Sequence, residues 1–140
     1  MITDPLSLLT RVADTVTLVG PRREVWRHQS RWREAFVPGL EWAGVALDWE
    51  GLLRGASQVL QGGLAIAAAR EVLANASCLF ATARLGTPPL YRLQGISGSF
   101  VDAALAEWED DLYVTDSDYA WSFVLTHEAP QFGPFHVVAV

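Results

Sequence analysis

Leu112-Tyr113-Val114-Thr115, then Asp116-Ser117-Asp118-Tyr119-Ala120, then Trp121-Ser122-Phe123-Val124-Leu125-Thr126: this stretch decides the fold. The two flanks are rich in β-branched and aromatic residues, which fit a pleated, buried surface. The five residues between them carry turn chemistry, with two Asp and a Ser able to hydrogen-bond their own backbone. The stretch therefore predicts a β-hairpin. Pro130 to Pro134 turns the chain again, and Phe135 to Val140 reads as one further apolar strand. An antiparallel sheet grows from this end of the chain.

Upstream, Asp4 caps a predicted first helix, with Pro5 at its first position and Leu6, Leu8, Leu9 and Val12 apolar. Thr15 to Val19 alternates as a strand, stopped by Gly20-Pro21. Arg22 to Phe36 reads as a helix whose face carries Val25, Trp26, Gln29, Trp32 and Phe36. Trp26 and Trp32 are expected to flank one broad face, with arginines beside them for cation–π contact. Residues 40–55 read as a strand or an irregular segment, and Gly51 to Gln61 as a short helix. Gly63 to Asn75 is an Ala- and Leu-rich helix, and Ser77 to Ala83 a short buried strand that makes Cys78 inert. Residues 84–98 hold Gly86, Pro88, Pro89, Gly95 and Gly98, which predicts a connection or binding loop. Ser99 to Trp108 is a helix with Ser99 and Asp102 in capping-box positions. Together these elements predict one α+β domain over residues 1–140: a mostly antiparallel sheet with helices packed against it.

Composition bounds the function. The chain has 140 residues, 51% hydrophobic and 19% charged, a globular balance. A chain this long buries roughly two-thirds of its unfolded surface, so a core forms without disulfides or metal. The longest apolar run, Leu64 to Ala69, falls far short of the roughly 20 residues of a bilayer span, so no membrane association is expected. The start, Met1-Ile2-Thr3-Asp4-Pro5, has no basic region followed by an apolar core, which points to the cytoplasm. The formal net charge is −6. All ten basic residues are arginines; residues 1–70 hold eight of them against seven acids, and residues 71–140 two against nine. A phosphate-binding surface needs the opposite sign, so nucleic acid is not the expected partner. An acidic half suits a basic protein, because opposite fields steer association.

The acids Glu107, Glu109, Asp110 and Asp111, followed by Asp116 and Asp118, are the candidate partner-binding residues. Asp116 and Asp118 do not continue into a calcium loop, because its Gly and distal Glu are missing. His127, Glu128 and His136 form the candidate metal set, since imidazole and carboxylate are common ligands. The second histidine of a zincin helix is absent, and on a strand His127 and Glu128 point to opposite faces. A bonded role for His127, fixing the turn from Ala129 to Phe135, explains it without chemistry. Nucleophile signals are thin. Gly95-Ile96-Ser97-Gly98-Ser99 lacks the second glycine of a nucleophile elbow, and Ser97, Asp102 and His127 follow the order Ser, Asp, His, which chance also produces. No motif calls for a cofactor.

The segment Leu112-Tyr113-Val114-Thr115-Asp116, Trp121-Ser122-Phe123-Val124-Leu125-Thr126-His127-Glu128 and Gly133-Pro134-Phe135 resembles a small bacterial family of unknown function, of YxiF type. Its members end in a hairpin reading W-[ST]-[FY]-V-x-T-H-E, then G-P-[FY]. The helix with Trp26, Trp32 and Phe36 is similar to the family's early helix. Some members lie beside polymorphic-toxin genes, so the resemblance implies an immunity protein, and it marks Trp121, Thr126, His127, Glu128, Gly133 and Pro134 as the motif. The leading expectation is a non-enzymatic protein-binding domain that neutralises a toxin. The alternatives are a metal-dependent enzyme or small-molecule binder using His127, Glu128 and His136, and an interaction subunit of a larger complex anchored by tryptophans. The oligomeric state is left open.

Overall fold

The computed structural model describes residues 4–56 and 58–140. The hairpin is β5 (Leu112–Asp116) and β6 (Trp121–Leu125), in register from Leu112 opposite Leu125 to Thr115 opposite Ser122. Around it the chain lays down α1 (Pro5–Val12), β1 (Ala13–Leu18), α2 (Arg22–Phe36), α3 (Asp48–Gly55), β2 (Val59–Gln61), α4 (Gly63–Leu73), β3 (Cys78–Thr82), β4 (Leu90–Ile96), α5 (Phe100–Glu107) and β7 (Phe135–Val138). The strands form one seven-stranded sheet in the order β1-β4-β3-β5-β6-β7-β2, antiparallel at every pairing. The fold is α+β, and the predicted hairpin lies in its middle.

Leu112, Tyr113, Val114 and Thr115 are all buried, so both faces of β5 are covered. Alternation sends Leu112 and Val114 to one face and Tyr113 and Thr115 to the other. On the first face, α1, α4 and α5 deliver Leu8, Leu9, Val12, Ala65, Ala69, Phe100 and Val101 against Leu79, Leu93, Leu112, Val114 and Phe123. On the second, α2 and α3 deliver Trp32, Phe36, Trp49 and Leu52 against Tyr113, Val124, Phe135 and Val137. Helix α1 begins as the sequence predicts: the Asp4 carboxylate accepts the Leu6 N–H at 3.1 Å.

Several expectations need correction. Residues 84–98 are not a loop: Leu90–Ile96 is an inner strand paired to both β1 and β3. Its Tyr91-Arg92-Leu93-Gln94 alternates in burial, while Gly86, Pro88, Pro89 and Gly98 flank it and Gly95 is its penultimate residue. Helix α2 faces the core with Val25, His28, Trp32 and Phe36. Trp26 is 55% exposed, so Trp26 and Trp32 share no face, and the arginine–indole stack is Arg33 over Trp42 at 4.1 Å. Ser99 caps α5 without a side-chain bond, and Asp102 pairs with Arg70 across to α4. Residues 40–47 hold no strand. The last strand stops at Val138 rather than Val140. Cys78 is half-buried, with its sulfur 3.1 Å from Arg92 Nε.

His28 carries a pH dependence. It is 3% exposed, with Nδ1 2.6 Å from the Tyr119 hydroxyl and Nε2 buried without a partner among the described residues. Burial, with a smaller push from Arg31, lowers its pKa from 6.5 to about 4. The unfolded chain therefore binds this proton more readily than the folded one. The contribution to stability is full above the unfolded value near 6.5 and is lost as pH falls toward 4. Urea unfolding at pH 7 and at pH 4.5 is expected to show the loss, and His28→Gln is expected to flatten it.

Candidate functional site

Strand β6 ends at Leu125, and residues 127–131 turn before β7 begins. The Thr126 hydroxyl donates to the Phe132 carbonyl, and the Phe132 N–H donates to Glu128 O. Gly133 takes φ +96°, a conformation that favours glycine. Pro134 O accepts the Gly62 N–H at 2.9 Å, joining the turn to the start of α4. Thr126, Gly133 and Pro134 thus build the turn, and the role expected of His127 falls to Thr126.

His127 faces elsewhere. Its backbone N–H donates to Asp111 Oδ1 at 2.8 Å, and its Nδ1 lies 2.7 Å from the same oxygen. The other carboxylate oxygen accepts the Trp49 indole N–H at 3.2 Å. Asp111 is 6% exposed, so one buried carboxylate ties α3, the start of β5 and the end of β6 together. The Trp49 backbone N–H donates to the Tyr113 hydroxyl at 3.0 Å, closing the same junction. The bond to Asp111, then the charges of Asp111, Glu128 and Asp110, raises the His127 pKa. His127 Nε2 lies 3.8 Å from Glu128 Oε1. The two side chains share one edge of the turn, against the expectation that a strand would separate them.

His136 does not join them. It pairs with Phe123, whose side chain packs on the first face, and stacks on Trp121 at 5.9 Å. His127 lies beside Trp49, which packs on the second face. The sheet therefore separates the two histidines, and the expected His127/Glu128/His136 set does not assemble. Ser97, Asp102 and His127 do not meet either: the Ser97 hydroxyl bonds Ser99, and Asp102 pairs with Arg70.

The acids divide into groups. Glu109 and Asp110 are exposed; Asp110 lies near His127, and its Oδ1 accepts the Asp111 N–H at 2.8 Å. Asp111 is committed to the interior and is no contact residue. Asp116 ends β5 and Asp118 lies just beyond it, roughly 17 Å along the strand from Asp111 at a rise of about 3.3 Å per residue. Asp116 closes the hairpin by accepting the Ala120 N–H. Glu107 is held by Arg11, whose hydrogen bond lowers the Glu107 pKa. The six acids expected to form one patch therefore lie in three places.

Sequence reading did not find the groove that Glu128 lines with α3. An open groove of about 280 Å³ is walled by Leu47, Trp49, Leu53 and Phe132, with Glu50, Arg54 and Glu128 at its edge. Leu53 is 50% exposed and Phe132 37%. Phe132 stacks on Trp49 at 6.1 Å, continuous with the core. The signal was Phe132 itself, an aromatic residue inside a Pro/Gly turn.

Site and fold together define an α+β domain with helices on both faces of an antiparallel sheet and, at one sheet end, an apolar groove that Glu50, Glu128 and Arg54 help to line. Compared with known proteins, the chain matches no family model, no curated sequence and no solved structure. Among the described residues, no helix is long and apolar enough to cross a membrane.

Proposed function

We propose that this chain is a non-enzymatic, cytoplasmic protein-binding domain that docks a basic protein at the sheet end bearing Glu109, Asp110 and Glu128. The observation that carries the reading is the groove: exposed Leu53 and Phe132 line it together with two acids, Glu50 and Glu128, against one basic residue, Arg54. Protein interfaces combine an apolar, desolvating centre with a polar rim in this way. The YxiF-type resemblance gives the reading its specific form, an immunity protein that occludes a toxin domain. Steering by opposite charge suits such a role, because a cell must capture a toxin quickly.

The test is affinity capture of the tagged chain from its host, repeated with Glu109→Arg/Asp110→Arg. A stoichiometric basic partner released by high salt is expected, and the reversed variant is expected to associate at least about tenfold more slowly. Capture that ignores both salt and the reversal overturns the docking end. Asp111 is left intact in this test, since its carboxylate holds the interior.

A further inference from the structure

We infer that the hollow between β2 and β7 binds a small neutral molecule with an apolar body and one hydroxyl group, such as an alkylphenol, and that His136 takes the hydroxyl. Two observations carry it. The first is the cavity. Leu60 and His136 are direct cross-strand partners, and alternation puts Val138 on the same face as His136. With Gln58 and Val59, these residues line a hollow of about 420 Å³. Small-molecule sites are concave and mostly apolar, roughly 300–1,000 Å³ in volume, with a few polar groups that fix orientation. Leu60 is 40% exposed, an apolar wall turned to solvent.

The second is the imidazole. His136 is 3% exposed, and its Nδ1 is buried without a hydrogen-bond partner among the described residues. Buried polar groups are nearly always paired, so an unpaired one in a cavity wall calls for a partner from outside the chain. Trp121 stacks on the ring at 5.9 Å and is itself part of the first-face core, so the imidazole is already held in place. The lining selects the chemistry. Among the described residues, no charged side chain lines the hollow. Burial lowers the His136 pKa below its ordinary 6.5, so the ring is neutral at neutral pH. An ionised ligand would lose its water there without gaining a counter-charge. A hydroxyl both donates and accepts, so it satisfies an imidazole nitrogen in either tautomer, while Leu60 and Val138 cover the apolar body.

This site is separate from the docking groove, which is built on Trp49 at the second face, and each stands or falls alone. The purified chain is titrated with p-ethylphenol, ethylbenzene and p-ethylbenzoate, read by NMR at the Leu60 and Val138 methyls and the His136 ring. One p-ethylphenol per chain is expected, with shifts centred on those three residues. Ethylbenzene lacks the hydroxyl and p-ethylbenzoate carries a charge, so each is expected to bind at least about tenfold more weakly. His136→Phe keeps a ring against Trp121 and deletes both nitrogens. It is expected to keep the parent far-UV circular dichroism and to bind p-ethylphenol at least about tenfold more weakly, yet to bind ethylbenzene as the parent does. That last readout separates a lost hydrogen bond from a collapsed hollow. Leu60→Trp, at an exposed position, is expected to fill the hollow and abolish binding. No shift at these residues in millimolar p-ethylphenol, or equal binding of it by His136→Phe and the parent, overturns the site.

Discussion

Trp32→Ala is expected to cost about 4 kcal/mol of folding stability, the range for removing a fully buried large aromatic side chain. Trp32 has no exposed surface. Its ring meets Phe36 and Tyr113 edge-on, each at 5.6 Å between centroids, so it joins α2 to the middle of the sheet. Its indole N–H donates to Ser122 Oγ at 2.9 Å. That hydroxyl also lies 3.1 Å from Thr115 Oγ1 and 3.1 Å from the Val114 carbonyl. Alanine therefore opens a cavity and removes one partner from a buried polar network.

Trp32→Phe separates the two effects. It keeps an aromatic ring and most of the volume while losing the N–H and two ring carbons, so a loss of about 2 kcal/mol, well below that of alanine, is expected. Denaturant unfolding of both variants measures this, with an unchanged slope confirming that the unfolded ensemble is the same. A loss below about 1 kcal/mol for Trp32→Ala would mean that α2 is not held to the sheet by this residue.

How much of this was legible follows from the range of each interaction. The hairpin was readable because its information is local: alternation in Leu112–Thr115 and Trp121–Leu125, and turn chemistry between them. Helices α1, α2 and α4 were readable for the same reason. Strand β4 was hidden because Pro88, Pro89, Gly95 and Gly98 outweigh the four alternating residues Tyr91–Gln94. Its stability comes from β3, which meets it across the connection of residues 83–89, and from β1, which lies far off in sequence. Strand β2 has three residues and exists as the neighbour of β7, which no local pattern announces.

His28 faces the core at the position where Val25 and Trp32 place it, yet its polarity made Trp26 look the better choice. At the site, His127 and Glu128 were visible as residue types. Their geometry was not, because it depends on β6 ending one residue before Thr126. Asp111 read as one acid in a solvated run, since nothing near it in sequence shows that Trp49 and His127 converge on it.

The Asp111 junction supplies the second large effect. Asp111→Ala is expected to destabilise the fold by about 3 kcal/mol, because removing one partner of a buried polar cluster strands the others. The Trp49 indole N–H loses its acceptor inside the core. The His127 N–H loses its acceptor at the sheet end. The His127 ring, 43% exposed at its side chain, recovers water and contributes less.

Asp111→Asn has the same shape, and its carbonyl oxygen satisfies one of the two sides while its amide faces the other. It is expected to lose about half as much. The two variants also differ at His127. The carboxylate raises the His127 pKa, so either substitution lowers it. Such a group gives stability that is present below the unfolded pKa and fades as pH rises through the folded one. The difference in stability between parent and Asp111→Asn is therefore expected to be larger at pH 5.5 than at pH 8.5, and ring-proton titration by NMR reads the pKa directly. If the His127 titration does not move in Asp111→Asn, the ion pair does not exist in solution. The junction would then rest on the Trp49 indole alone.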